Sequence, residues 1–159
     1  MMKKFLMLIM LLALFIAGCG SDSAPKICKT AGLGDSKQAW IDDHGEPNRD
    51  NTDKNSIAPV AFENDKYMVL FVEDKAINII FQKNDNKMNP KFKDMLPPDS
   101  KLTSSEDISD EILIKTKETY TSDSLKNTVK NSDGKFEVYH NYDKQTGNYM
   151  SSIVACEVK

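Results

Sequence analysis

The sequence predicts an α+β domain, an antiparallel sheet of five or six strands with one or two short helices packed on one face. Three observations lead there. Runs of β-branched and aromatic residues of strand length recur between turn residues. The gaps between several of these runs are short enough for hairpins, which makes antiparallel neighbours of them. One stretch early in the chain carries helix start and stop signals in the right order.

That stretch is residues 36–44, with Asp35 or Ser36 as N-cap, Ala39, Trp40 and Ile41 as apolar positions, Gly45 as C-cap and Pro47 beyond. Strand-like runs follow at 59–64, 67–73 and 76–82, joined by Asn64-Asp65-Lys66 and Glu73-Asp74-Lys75 into a meander. In the third run Ile77, Ile79 and Phe81 face one way, and Asn78 and Gln82 the other. The middle run, Met68-Val69-Leu70-Phe71-Val72, is apolar on both faces and reads as the central strand, its second face covered by a helix or a partner. Residues 83–106 hold Pro90, Pro97 and Pro98 and read as a long loop with one helical turn near 91–95. Loops of that length usually serve a function. A strand at 111–120, a short helix at 122–129 with Leu125 and Val129 one turn apart, and strands at 135–142 and 148–158 complete the chain. Gly147 supplies the last hairpin with a residue free to take positive φ.

The N-terminus says where the domain belongs. Lys3 and Lys4 precede thirteen uncharged residues, Phe5 to Ala17, too few to span a bilayer and well suited to the apolar region of an export signal. Ile16-Ala17-Gly18-Cys19 resembles the lipobox of bacterial lipoproteins at all four positions. The resemblance implies that Cys19 receives a diacylglyceryl thioether and a further acyl group such as palmitate, and that cleavage falls between Gly18 and Cys19. The expected organisation is a cleaved signal peptide at 1–18, a lipidated flexible tether at 19–27 and one extracytoplasmic domain at 28–159. Two or three acyl chains hold a protein at a bilayer where one does so only marginally. Gly20 after the lipidated cysteine permits outer-membrane delivery in a two-membrane host, whereas a one-membrane host would display the domain on its cell membrane.

With Cys19 set aside, Cys28 and Cys156 form an even pair in an exported chain, and a disulfide is the leading expectation, two buried free thiols the rival. No cysteine or histidine has zinc-ligand spacing.

Residues 34–40 followed by Gly45-Glu46-Pro47 resemble the helix-then-Gly-x-Pro opening of small outer-membrane assembly lipoproteins of the SmpA/OmlA type and of β-lactamase-inhibitor-like domains. Gly-x-Pro is also a good helix terminator in its own right. A role in envelope assembly is what this resemblance implies.

The 159 residues carry 21 basic and 24 acidic side chains, a net charge of -3, which is no electrostatic footprint for nucleic acid. Neither a phosphate-binding glycine loop nor a Gly-x-Ser-x-Gly elbow is present, so no cofactor is expected. Asp42-Asp43-His44 with Glu46 has the ingredients of a cation site, but successive helical positions diverge. Asp50 begins an apparent calcium loop that lacks the required glycine and glutamate. Histidine chemistry has to use His44 or His140, the chain's two histidines. The expectation is a lipid-anchored binding or assembly module without catalytic activity, meeting an envelope protein or surface ligand through Trp40, Pro97 and Pro98. The alternative is a small envelope hydrolase, or an inhibitor of one, with a cleft at His140 or His44.

Overall fold

The computed structural model describes residues 23–50, 58–82 and 86–159; the signal segment with Gly18, then Cys19 and tether residues 20–22, lie outside the described residues. Two antiparallel meanders make one sheet. β1 (Val60–Phe62), β2 (Tyr67–Val72) and β3 (Lys75–Gln82) form the first. β4 (Lys101–Asp107), β5 (Leu113–Thr121), β6 (Lys135–Asp143) and β7 (Tyr149–Cys156) form the second. Their last strands pair, with Asn78 opposite Ala155 and Gln82 opposite Ser151, giving the order β1-β2-β3-β7-β6-β5-β4.

The fold is thus predominantly β, and its seven strands exceed the five or six expected. The extra strand is β4, Lys-Leu-Thr-Ser-Ser-Glu-Asp, in which every residue but Ser104 is exposed. An edge strand wet on both faces has no hydrophobic alternation to read. The expected centre of the sheet also moves. β2 lies second from one edge and β7 is central. Tyr67 and Val69 of β2 point into the core, while Met68 and Leu70 on its other face are half-buried. In β3, Leu70 pairs with Asn78 and Phe71 with Ala76, so Ile77 is the extra residue of a bulge. Ala76 is fully buried there and Ile77 only partly, which breaks the regular alternation.

α1 (Lys37–His44) starts where the Ser36 hydroxyl accepts the Ala39 N–H, and ends at Gly45, whose N–H donates to the Ile41 carbonyl at 2.8 Å and whose φ of 79° turns the chain out of the helix. Trp40 drops from α1 onto Phe62, Tyr67 and Phe71 and is completely buried. A 3-10 turn at Phe92–Met95 and α2 (Asp123–Thr128), capped by Ser122, complete the cover. Ala31, Leu33, Trp40, Met95 and Leu125 pack into the same core as the inward residues of β1, β2, β3 and β7. The inward residues of β5, namely Thr116, Glu118 and Tyr120, remain half-exposed. One flank of the sheet is therefore left open.

The chain before α1 is held by two carboxylates of that helix and by Asp35 just ahead of it. Asp42 accepts the Ala24 N–H at 2.9 Å, Asp43 pairs with Lys26 at 2.7 Å, and Asp35 accepts the Ile27 N–H at 2.6 Å. The expected tether of 19–27 is docked onto the domain from Ala24 onward.

Cys28 and Cys156 are free thiols, so the expected disulfide is not formed. Each has its own partners. Cys28 Sγ donates to the Leu33 and Met95 carbonyls at 3.3 and 3.4 Å, and Cys156 Sγ lies 3.1 Å from Ser132 Oγ. Burial, reinforced by Asp35, pushes the Cys28 thiol far above its usual range, and burial also raises Cys156. Neither is a ready thiolate.

Candidate functional site

The open flank forms a groove of about 600 Å³ between the sheet and the segment that carries Phe92, Leu96, Pro97 and Pro98. Its floor is built by register. Thr116 stands opposite His140, and His140 opposite Ser152, so the three share a face. In the next row Ile79 lies beside Val154, Val154 beside Val138, and Val138 beside Glu118. An apolar row that crosses the core thus ends on a carboxylate at the groove. Tyr120 follows, stacked on Phe136 with ring centroids 5.2 Å apart.

The wall is fixed from several sides. Leu33 N–H donates to the Met95 carbonyl at 3.0 Å and Thr30 N–H to the Asp94 carbonyl at 2.9 Å. Asn89 donates to the Tyr67 hydroxyl at 2.6 Å. Phe92 meets His140 edge to face at 5.2 Å. Past the prolines, Asp99 accepts the Ser122 hydroxyl at 2.6 Å and the Ser124 N–H at 2.8 Å, tying the end of the wall to the start of α2. Burial raises the Asp99 carboxyl somewhat, yet these bonds outweigh it and hold the group at about 2.

His140 stands at the centre of a polar relay. Tyr149 donates to Ser152 Oγ at 2.9 Å, and Ser152 Oγ lies 2.7 Å from His140 Nδ1. The other ring nitrogen, Nε2, lies 3.8 Å from Glu118 Oε2. The Tyr120 hydroxyl donates to that same oxygen at 2.6 Å. Burial lowers the His140 pKa, partly countered by Glu118, so the ring is held toward its neutral form. Burial and then Glu118 push the Tyr120 phenol up to about 12.

Serine, histidine and glutamate in sequence of contact resemble the parts of a hydrolytic triad, but Ser152 is 0% exposed and already accepts the Tyr149 hydroxyl. A nucleophile needs a place for the reacting carbonyl about 3 Å away. Ser152 has none, and the relay is a means of fixing the histidine.

His44 lines a second cavity of about 430 Å³ with Glu63, Lys66, Tyr67 and Asn89. Its polar groups are spent on one another. His44 Nδ1 meets Glu63 at 2.8 Å and Nε2 meets the Ala31 carbonyl at 3.0 Å, while Lys66 takes the other Glu63 oxygen at 2.7 Å. Asp43 is committed to Lys26 and the Ala31 N–H. Asp42, Asp43 and His44 therefore serve as a structural clasp, and among the described residues no three acidic, histidine or cysteine groups gather as metal ligands.

Of the residues singled out from sequence, the structure brings His140, Pro97 and Pro98 to one groove, with Pro97 buried in its wall and Pro98 exposed. Trp40 is corrected. Its indole is wholly buried, with Nε1–H donating to the Gly32 carbonyl at 3.1 Å, so it presents nothing to a partner. Glu118, Tyr120 and Tyr142 were missed. The available signal was Thr116-Glu118-Tyr120, a polar inward face on a strand whose neighbours Val138 and Phe136 are apolar. No family model, curated protein or solved structure matches the chain.

Proposed function

We propose that this protein is a lipid-tethered extracytoplasmic binding module that engages a partner or ligand in the envelope through the Phe92–Glu118–His140 groove, without performing catalysis. The observation that carries the reading is the groove itself, about 600 Å³, in which an apolar wall of Phe92, Leu96 and Pro97 faces a floor bearing the polar side chains of Thr116, Glu118 and His140. Rigidity supports it as well, since the wall is pinned at Leu33, Asn89 and Ser122 and so is organised before anything binds. The lipobox at Ile16-Ala17-Gly18-Cys19 supports the anchor, and acyl chains on Cys19 would hold the groove close to a membrane surface.

The test places a photo-crosslinking side chain at Tyr142 in the groove, or at Tyr139 on the opposite sheet face, in protein attached to its native membrane. The reading predicts a discrete adduct from position 142 and none from 139. Adducts from 139 alone would refute it.

A further inference from the structure

We propose that the groove takes an organic cation, an ammonium or guanidinium on an aliphatic stem, with its charge set against Glu118. The inference rests on the groove being the binding site. Glu118 continues the row Ile79, Val154, Val138, where an apolar residue would extend the core. Its side chain is only 24% exposed, and among the described residues no lysine or arginine is paired with it. A carboxylate so placed is partly shielded from water and lacks a lysine or arginine partner among the described residues, a position that a ligand's cation can fill.

Its neighbours leave room for that ligand. Tyr120 and His140 both address Oε2, and among the described residues no hydrogen bond reaches Oε1. Among the described residues no fully buried polar side-chain atom lacks a partner, so Oε1 keeps contact with solvent, and Glu118 lines the groove. Tyr142 and Tyr120, the latter stacked on Phe136 on one side, line the groove and bring aromatic rings of the kind that attract a cation. Phe92, Leu96 and Pro97 line the path with hydrocarbon, which suits the stem. Lys93, the one lysine of the groove, is exposed, so solvent screens its repulsion.

The experiment uses the mature chain carrying Cys19→Ser and follows the Tyr120 and Tyr142 ring signals by NMR. Three probes are titrated: Nα-acetyl-lysine methylamide, its neutral isostere Nα-acetyl-norleucine methylamide, and pentylamine. The lysine probe or pentylamine should bind at least tenfold more tightly than norleucine, lose that advantage in Glu118→Gln and keep it in Glu118→Asp. A tighter hold on the lysine probe supports a polypeptide side chain as the source of the cation, and a tighter hold on pentylamine a free amine. Equal binding of norleucine overturns the cation inference while leaving the groove as a binding site. Ring signals unmoved by all three probes overturn both.

Discussion

Gly32 lies against the carbonyl of Met95 so closely that a β-carbon there would stand 1.9 Å from the oxygen. The next residue, Leu33, donates to that same carbonyl, and the Gly32 carbonyl accepts the Trp40 indole. One glycine therefore sets the distance between the α1 layer and the wall of the groove.

Gly32→Ala should destabilise the fold by roughly 2–3 kcal/mol, because backbone rather than a flexible side chain has to move. Urea unfolding gives the magnitude. The same variant should shift the signals of Phe92, which opens the turn that Met95 closes, and of Leu96 just after it.

The thiols give a second expectation. Cys28 and Cys156 are buried and unbonded, so a thiol reagent should leave both unmodified in the native state and label two per chain, Cys19 having been replaced by serine, once denatured without reductant. Fewer than two would mean that they bond to each other.

Acid should weaken the fold through His140. Burial holds its folded pKa below the unfolded value, so its contribution is complete above about pH 6.5 and is lost as pH falls from there through the folded value. Unfolding free energies at pH 7.5 and pH 5 should differ less in His140→Gln than in the parent. Asp99 acts lower on the scale. Its contribution is present above about 3.8 and disappears as pH falls through about 2. Asp99→Ala should cost roughly 1–2 kcal/mol at neutral pH through loss of the α2 cap contacts.

The β2–β3 turn can be improved. Glu73 and Asp74 hold φ of 46° and 64°, the left-handed region that a two-residue hairpin demands and that Asn-Gly fills best. Glu73→Asn should stabilise the protein by about 0.5 kcal/mol, read as a higher urea midpoint, while Asp74 is kept because its carboxylate accepts the Lys37 N–H at 3.2 Å at the start of α1. The ion pair between Glu73 and Lys130 that is lost has both side chains mostly exposed and contributes little.

The elements that bury a regular pattern were legible in the residues. Ser36 and Gly45 bracket α1 as capping chemistry requires, and β6 and β7 follow their alternation. β4 was hidden because solvent on both faces leaves no pattern, and the place of β2 because apolar residues on its outer face are only half-buried. Pro97, Pro98 and His140 could be named but not joined. What joins them is the pairing of β5 with β6 and the docking of Met95 on Leu33, contacts between residues far apart in the chain. Glu118 becomes conspicuous only once Val138 is known to be its neighbour.

The proposed anchor at Cys19 is what would hold the groove at a membrane surface. Intact-mass measurement of the protein purified from its own membranes tests this directly. The predicted result is a chain that begins at Cys19 and carries the added mass of a diacylglyceryl group and a further acyl chain. A membrane-bound chain beginning elsewhere, or with an unmodified Cys19, would contradict it.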